Sequence, residues 1–195
     1  NGYSLYKKQR PSVGDLPSSK PKTLFYKPEY SSGNGTNELK NYFGEERLFS
    51  NPKPISLIRD MIQIGTSTNT NAVVLDFFAG SSTTADAVMQ LNAEDGGNRQ
   101  YIMCTLPEPT FTVNSDGKEV PTKGGEAAYK AGYRSIDEIS RERIIRAANK
   151  IKEENPLLTE SQDFGFKHYR VVSPTQDTLD KIEYDDTLQL DLFDD

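Results

Sequence analysis

The sequence is poor in the side chains on which many small enzymes depend. Its 195 residues contain one cysteine, Cys104, and one histidine, His168. A single cysteine excludes an internal disulfide framework, and one histidine with one cysteine cannot form a metal-ligand cluster. No serine stands in a Gly-x-Ser-x-Gly elbow with a partner histidine, which argues against nucleophilic catalysis of the hydrolase type. We therefore expect no metal site and no catalytic triad.

Long apolar runs are missing as well. The sequence holds no stretch of about 18 apolar residues, the length that a membrane-spanning helix needs, so we expect a soluble chain without a membrane partner. Cys104 lies in the apolar run 101–106. It is predicted to be a buried small hydrophobic residue, with a reducing cytoplasm as the expected setting.

The charge is acidic overall but unevenly distributed. A net charge of −6 argues against a chain that coats nucleic acid. Residues 1–60 nevertheless hold ten Lys/Arg against six Asp/Glu, whereas residues 161–195 hold three against nine. The amino-terminal third could face phosphates, or its charges could form an ordinary solvated surface.

Composition divides the chain into three regions. Residues 1–50 are rich in Pro, Gly, Ser and Asn, and are predicted to be a loop-rich extension, with 23–26 as a short extended segment and 30–37 as a loop. Residues 51–172 carry regular periodicity and are expected to hold the functional part. Residues 173–195 form an acidic tail.

The periodicity of the central region predicts an α/β fold. Apolar spacing indicates a helix from Ile55 that ends at Gly65, and a capping box at 135–138 opens a second long helix that ends at Asn155-Pro156. Strands are predicted at 72–78, 100–106 and 164–172, with a helix at 82–91 between the first two and a long irregular excursion at 107–131. The first strand, helix and second strand form a βαβ unit, whose strands should be parallel.

The most informative segment is 73–84, which reads VVLDFFAGSSTT. An apolar β-branched run ends at Asp76, turns through small residues and opens into a helix. Such a turn offers free backbone N–H groups and a helix N-terminus to a ligand, and its acid can accept a hydrogen bond. The turn lacks the lysine of a P-loop and the Gly-x-Gly-x-x-Gly spacing of dinucleotide folds. A nucleotide-like cofactor is the expected ligand.

These residues also carry a family resemblance. Phe78-Ala79-Gly80 after Leu75-Asp76-Phe77, the upstream Asn51-Pro-Lys-Pro54 and the helix at 135–152 resemble the cofactor-binding half of amino-methylating DNA methyltransferases of the permuted beta type. The modification subunit of type III restriction–modification systems is the particular likeness, from about Lys20 to Val172. The resemblance implies a Rossmann-like fold that uses S-adenosylmethionine, with a mostly parallel sheet and flanking helices, incomplete in this fragment.

The resemblance also implies a set of cofactor-binding residues. Lys53 would pair with the carboxylate of the cofactor, Asp76 would attract its ammonium or orient the turn, Phe78 would give apolar cover, and Glu108 would bind the ribose hydroxyls. The N–H groups of 80–82 would receive the carboxylate. The complete set is Lys53, Pro54, Asp76, Phe77, Phe78, Ala79, Gly80, Ser81, Ser82, Thr83, Thr105 and Glu108.

Two departures from the family pattern bear on activity. Ser82 stands where a second glycine is expected, and its Cβ makes a positive φ less accessible. The catalytic Asp/Asn-Pro-Pro-aromatic tetrapeptide is absent from these 195 residues, so no catalytic residue is predicted here. We expect a carboxy-terminal fragment of a DNA adenine-N6 methyltransferase, whose parent would act on double-stranded DNA with a restriction subunit. An incomplete sheet predicts pairing with a second copy of the chain, or local disorder.

Other interpretations of the same residues stay open. Asp76 could cap the turn without any ligand, and Lys53 could be a solvated lysine. Arg143, Arg146 and Lys150 could bind phosphate or a neighbouring subunit, although interleaved glutamates favour a salt-bridged surface. For the whole chain, the alternatives are a nucleotide- or NAD-binding oxidoreductase domain and a non-catalytic module that binds DNA or protein.

Overall fold

A computed structural model describes residues 23–44, 47–66, 69–158 and 162–176. The described residues form a mixed α/β structure with a small parallel sheet. Its elements are α1 (Ser32–Phe43), α2 (Ile55–Thr66), β1 (Val73–Asp76), α3 (Thr83–Asp95), β2 (Gln100–Met103), β3 (Phe111–Val113), β4 (Glu119–Pro121), α4 (Glu126–Lys130) and α5 (Ile136–Glu154), with 3₁₀ turns at Pro28–Tyr30 and Pro156–Leu158.

The predicted βαβ unit is present at the centre of the chain. β1 pairs with β2 in parallel, from Val73 opposite Gln100 to Asp76 opposite Met103, and α3 connects them. Both strands are shorter than the predicted 72–78 and 100–106. Residues 77–82 form the turn that leads into α3, because β1 ends at Asp76.

Helix α3 is the core of the structure. Its small residues Ala85 and Ala87 have no exposed surface, and they allow neighbouring helices to pack closely. Ala85 and Met89 pack with Ile144 and other apolar residues of α5. The other side of α3 packs with Ile55 and Ile62 of α2. Burial on both sides fixes the N-terminus of α3, and therefore the turn before it.

The parallel sheet has one covered face and one exposed face. Val74 and Tyr101 pack against the helices. Val73, Leu75 and Ile102 alternate with them and are exposed. The same alternation places Cys104 on the exposed side, so the prediction of a buried cysteine is wrong.

Two predictions of irregular structure are also wrong, and one predicted helix end lies one residue too early. The predicted loop at 30–37 contains the first turns of α1, which packs through its buried Leu39. Gly65 lies inside α2, which ends one residue later at Thr66. The hydroxyl of Thr66 donates to the carbonyl oxygen of Ile62 at 2.8 Å. The predicted excursion at 107–131 contains the antiparallel hairpin β3–β4 and the short helix α4.

The two remaining predicted extended segments pair with no other strand in the part of the chain that the structure describes. Residues 23–26 contain bends and irregular backbone. The predicted strand at 164–172 is irregular as well, because Phe164 turns into the core beside α5 instead of joining a ladder. The chain divides into two units, residues 1–164 and 165–195. In the second unit, 165–176 is largely irregular and exposed.

Helix α5 follows its prediction closely. It begins at Ile136 and ends at Glu154, directly before Asn155-Pro156. The predicted capping box does not form, because the Ser135 hydroxyl makes no capping hydrogen bond and the Glu138 carboxylate accepts from the backbone N–H of Arg134 at 2.6 Å and not from that of Ser135. Residues 1–22 of the extension and 177–195 of the acidic tail lie outside the described residues. None of the helices described is both long and apolar enough to cross a membrane.

Candidate functional site

The turn between β1 and α3 is anchored to the end of β2. The backbone N–H of Cys104 donates to the carbonyl oxygen of Asp76 at 2.8 Å, and the N–H of Ala79 donates to the carbonyl oxygen of Cys104 at 3.0 Å. These two bonds continue the parallel ladder past the last paired residues. They bring Thr105, the next residue of the chain, to the same end of the sheet as the turn.

Asp76 organises the turn from inside. Its Oδ1 accepts from the backbone N–H of Phe78 at 2.9 Å, and its Oδ2 accepts from the hydroxyl of Thr84 at 2.6 Å. This is the capping role that was open as an alternative in the sequence. A carboxylate has about four acceptor positions, so two bonds leave capacity for a further donor. Capping the turn and receiving a ligand ammonium are therefore compatible.

Ser82 adopts a backbone conformation that favours glycine. Its φ of 57° and ψ of 36° lie in the left-handed region, and the nearby Gly80 has φ 51°. The N–H of Ser82 closes the turn by donating to the carbonyl oxygen of Ala79 at 2.7 Å. The serine therefore has the positive φ of a glycine although it carries a side chain.

The turn leaves several polar groups without partners. Ser82 precedes the first residue of α3, but its hydroxyl does not cap the helix. The Oγ atom is buried and has no hydrogen-bond partner among the described residues. Within the same part of the chain, the amides of Gly80 and Ser81 donate no hydrogen bond. Free amides at the N-terminus of a 13-residue helix are a site for an anionic group.

The segment that contains Lys53 lies against this turn. The hydroxyl of Thr83 donates to the carbonyl oxygen of Lys53 at 3.2 Å, and Pro54 is buried beside it. On the other side, Gly35 of α1 approaches the segment so closely that a Cβ there would lie 2.3 Å from the carbonyl oxygen of Pro52. The Lys53 side chain is exposed, while its backbone contacts the turn.

Aromatic residues surround the turn. Phe78 is 92% exposed and Phe77 is 67% exposed, which is unusual for phenylalanine. On the inner side, a Cβ on Gly80 would lie 3.2 Å from Cζ of Phe49. One ring therefore supports the turn from below, and two are free to cover an apolar group above it.

Not every predicted site residue is brought together. The structure places Lys53, Pro54, residues 76–83 and Thr105 around one turn. Glu108 is exposed, and its carbonyl oxygen accepts from the backbone N–H of Ile136 at 3.0 Å. No contact among the described residues links its carboxylate to the turn. Glu108 therefore belongs structurally to the start of α5.

One residue that holds the turn from below was not predicted for the site. Arg143 was predicted to lie on a salt-bridged surface, or to bind phosphate or a neighbouring subunit, but it is completely buried. Its Nε and Nη2 donate to Oδ2 of Asp86 at 3.1 and 3.0 Å, and its Nη1 donates to the hydroxyl of Thr83 at 2.8 Å. A signal was present, because Arg143 lies four residues from both Ile139 and Ala147 on the apolar stripe of α5.

Arg146 and Lys150 of the same helix fit the surface interpretation better. Arg146 pairs with Glu142 at 2.6 Å and also donates to the carbonyl oxygen of Tyr42 at 2.6 Å. Lys150 lies 3.9 Å from the carboxylate of Glu154.

Buried polar groups complete the support of the turn. Tyr42 donates to Oδ1 of Asp86 at 3.2 Å, and burial raises the pKa of its phenol, so it stays a neutral donor. Glu38 accepts from the N–H of Ile55 at 2.7 Å and thereby caps α2. Burial raises the pKa of the Glu38 carboxyl, partly against the hydrogen bond from Ile55.

A cavity of about 430 Å³ is distinct from the site. None of the turn residues 76–83 lines it. It is lined by Arg47, Ser50, Asn51, Gly124, Glu126, Ala127 and Lys130.

The chain, including the turn, is similar in sequence to known proteins. A model of a DNA methylase family matches residues 3–111, a range that includes β1, the turn, α3 and β2. The chain is 43% identical over 188 residues to the type III restriction–modification enzyme EcoPI Mod subunit of Escherichia phage P1, and 42% identical over 175 residues to the StyLTI Mod subunit of Salmonella typhimurium. It is 30% identical over 153 residues to the type II methyltransferase M.KpnI of Klebsiella pneumoniae.

The coverage of these matches is unequal. They include 96%, 90% and 78% of this chain, but only 26%, 24% and 31% of the respective relatives. The chain thus spans about a quarter of the length of the two Mod subunits. The first of these matches is long enough to include α5 as well as the turn, whereas the family model ends at the first residue of β3.

Proposed function

Because the chain belongs to the DNA methylase family, we propose that it is the S-adenosylmethionine-binding part of a DNA methyltransferase and holds the cofactor at the turn between β1 and α3. When bound, the cofactor supplies a methyl group on a sulfonium, which is reactive toward an amino nitrogen. The observation that carries the proposal is the turn itself, with two free amides and an uncapped helix N-terminus beside an exposed lysine.

The residues present fit the chemical groups of this cofactor. The amides of Gly80 and Ser81 and the ammonium of Lys53 would receive its carboxylate. The unused acceptor positions of Asp76 would receive its ammonium. Phe77 and Phe78 would cover apolar parts of the ligand and exclude water from the sulfonium.

The adenosine end of the cofactor has fewer proposed contacts. Thr105 lies at the carboxyl end of β2, which is where ligands of parallel sheets extend. Glu108 stays a proposed partner of the ribose hydroxyls, three residues farther along. Glu108 is the proposed residue with least support, because no described contact links its carboxylate to the turn residues.

The parent enzyme would supply what this chain lacks. No Asp/Asn-Pro-Pro-aromatic tetrapeptide occurs in the sequence, so we propose that the target base is held by another part of a longer enzyme. Adenine-N6 methylation of double-stranded DNA, in association with a restriction subunit, is the proposed activity of that parent. The 195-residue chain alone should not transfer methyl groups to DNA, and measurable transfer by the purified chain would contradict this.

The two alternatives have less support. A dinucleotide-binding oxidoreductase would use a Gly-x-Gly-x-x-Gly turn, and residues 78–83 do not have that spacing. A non-catalytic interaction module would be favoured by a serine and a missing tetrapeptide where a methyltransferase needs a glycine and a catalytic motif. Ser82 argues less strongly for such a module because its backbone has the positive φ expected of a glycine.

Calorimetric titration tests the proposal. The purified chain should bind S-adenosylmethionine and S-adenosylhomocysteine saturably, and should not bind NAD. Asp76→Ala should abolish binding, because the turn loses both of its internal acceptors. Asp116→Ala, at the exposed tip of the β3–β4 hairpin, is the matched control and should bind as the unmodified chain does. Absence of binding in this chain and also in a chain extended upstream would refute the proposal.

A further inference from the structure

Helix α5 contacts the turn through two residues, Ser140 and Arg143, that lie about one helical turn apart. The hydroxyl of Ser140 donates to the carbonyl oxygen of Gly80. One helical turn farther along, Nη1 of Arg143 donates to the hydroxyls of Ser81 at 3.1 Å and Thr83 at 2.8 Å. Three residues around the left-handed part of the turn are therefore tied to one helix that lies about 60 positions away in sequence.

The anchor of this arrangement is a buried ion pair. Arg143 and Asp86 have no exposed side-chain surface, and their closest approach is 3.0 Å. The second oxygen of Asp86 accepts from Tyr42 at 3.2 Å and from Gln90 at 2.9 Å. Both charges are therefore compensated and fully hydrogen-bonded, which is the condition under which a buried pair is tolerated.

Stability alone does not explain such a pair. A buried ion pair often contributes no more than apolar side chains of the same volume would. The geometry of Arg143 offers another explanation. Its planar guanidinium presents donors in several fixed directions, so one side of it holds Asp86 while Nη1 reaches the turn. A lysine ammonium is a point donor and cannot span the two groups in the same way.

The turn needs such external support. Gly80 and Ser82 both have positive φ, and backbone in this region persists when the surrounding structure fixes it. The amides of Gly80 and Ser81, which donate no hydrogen bond among the described residues, lie within this stretch. Their direction therefore depends on the contacts that α5 makes.

We propose that Arg143 is a positioning residue for the cofactor turn, and that it acts together with Ser140 to fix the direction of the Gly80 and Ser81 amides. Arg143 is too deeply buried to touch a ligand, so it acts only through Ser81, Thr83 and Asp86. The consequence for cofactor affinity rests on the proposed function. The consequence for the order of the turn does not.

Amide hydrogen exchange and calorimetry, applied to the same variants, test the proposal. The reporters are the amides of Ala79 and Ser82, which donate to the carbonyl oxygens of Cys104 and Ala79 respectively. Arg143→Lys should lower their protection at least tenfold relative to helix α2, and should weaken S-adenosylmethionine binding at least tenfold. The matched control is Arg141→Lys, which makes the same substitution two residues away in a partly exposed pair with Asp137 and should change neither quantity.

A second control separates positioning from general loss of stability. Ile144→Ala removes buried packing from the same helix and leaves the polar contacts intact. It should lower the melting temperature without changing the protection of the turn relative to α2. If Arg143→Lys behaves like Ile144→Ala in this ratio, Arg143 has only a structural role and the proposal is overturned.

The remaining outcomes of these experiments also support or overturn the proposed role of Arg143. If Arg143→Lys does not fold, Ser140→Ala takes its place, because it removes a single hydroxyl contact to Gly80. It should lower the protection of the same two amides by a smaller factor, and unchanged protection would overturn the proposal. If the unmodified chain binds no cofactor, the proposed function fails for this chain while the exchange measurement still decides the role of Arg143.

Discussion

Replacing Ser82 with glycine should stabilise the protein. The left-handed backbone costs an L-residue roughly 1–2 kcal/mol, and Ser82 adopts it with φ 57°. Glycine relieves that cost but adds about 0.4–1 kcal/mol of unfolded-chain entropy. The substitution also removes a buried hydroxyl without a partner among the described residues, whose desolvation costs about 1–3 kcal/mol before lost packing is counted. We expect a net gain of about 1–2 kcal/mol in the free energy of unfolding.

Ser82→Ala separates the two contributions. Alanine removes the hydroxyl and keeps the Cβ, so it retains the backbone cost. Urea unfolding followed by far-UV circular dichroism, without ligand, gives the free energy of each variant by linear extrapolation. Glycine should be more stable than alanine by about 0.5–1 kcal/mol, the backbone contribution alone.

A substitution at the neighbouring turn glycine should change the stability in the opposite direction. Gly80→Ala adds a Cβ at φ 51° and 3.2 Å from the ring of Phe49, so it should destabilise the protein. A Ser82→Gly variant that is no more stable than Ser82→Ala would refute the reasoning, because it would mean that the serine is not strained.

Three further predictions follow from individual contacts. Hydrogen bonds from Arg99 lower the pKa of Asp95, so this stabilisation is complete above the ordinary value of 3.8 and is lost as the pH falls through the lower folded-state value. Asp95→Asn should therefore flatten the acid limb of a plot of melting temperature against pH, and an unchanged slope would contradict this. Phe78→Ala should leave the unfolding free energy within about 0.5 kcal/mol, since the ring is 92% exposed, yet should weaken cofactor binding in calorimetry. Equal affinity would remove Phe78 from the site. Gly35→Ala should destabilise the protein by about 1–3 kcal/mol in urea unfolding, because its Cβ would lie 2.3 Å from the carbonyl oxygen of Pro52. A gain in stability, as helix propensity alone would give, would contradict that contact.

The βαβ unit and the turn could be predicted because their signals are local. An apolar run that ends at Asp76, followed by small residues and a helix, determines strand, turn and helix within about a dozen positions. Helix α5 was equally clear, since its apolar stripe is long and Asn155-Pro156 ends it. These elements include most of the residues that now surround the candidate site.

The errors have longer-range causes. The first turns of α1 contain Gly33, Asn34 and Gly35, which are poor helix formers, and Gly35 is there because the helix packs against the segment that contains Lys53. Local composition cannot report such a contact. Cys104 was predicted to be buried from its apolar neighbours, but only the alternation of β2 determines which face it occupies.

Arg143 shows the same limit at the site. Charge and neighbouring glutamates favoured the surface, whereas its buried partner Asp86 lies 57 residues earlier in the chain. Its position on the apolar stripe was the one local indication. A charged residue on such a stripe should be read together with a charged residue on another buried helix.

The separation between the turn and α5 has a consequence for the order of folding. The strand, turn and helix at 73–95 involve neighbouring residues and can form early, but the contact from Ser140 to Gly80 closes a loop of 60 positions. A chain that ends before Arg143 would thus fold its βαβ unit, but its turn would lack the contacts with Arg143 that fix the backbone. During synthesis, competence to bind a ligand would be the last property that this unit acquires.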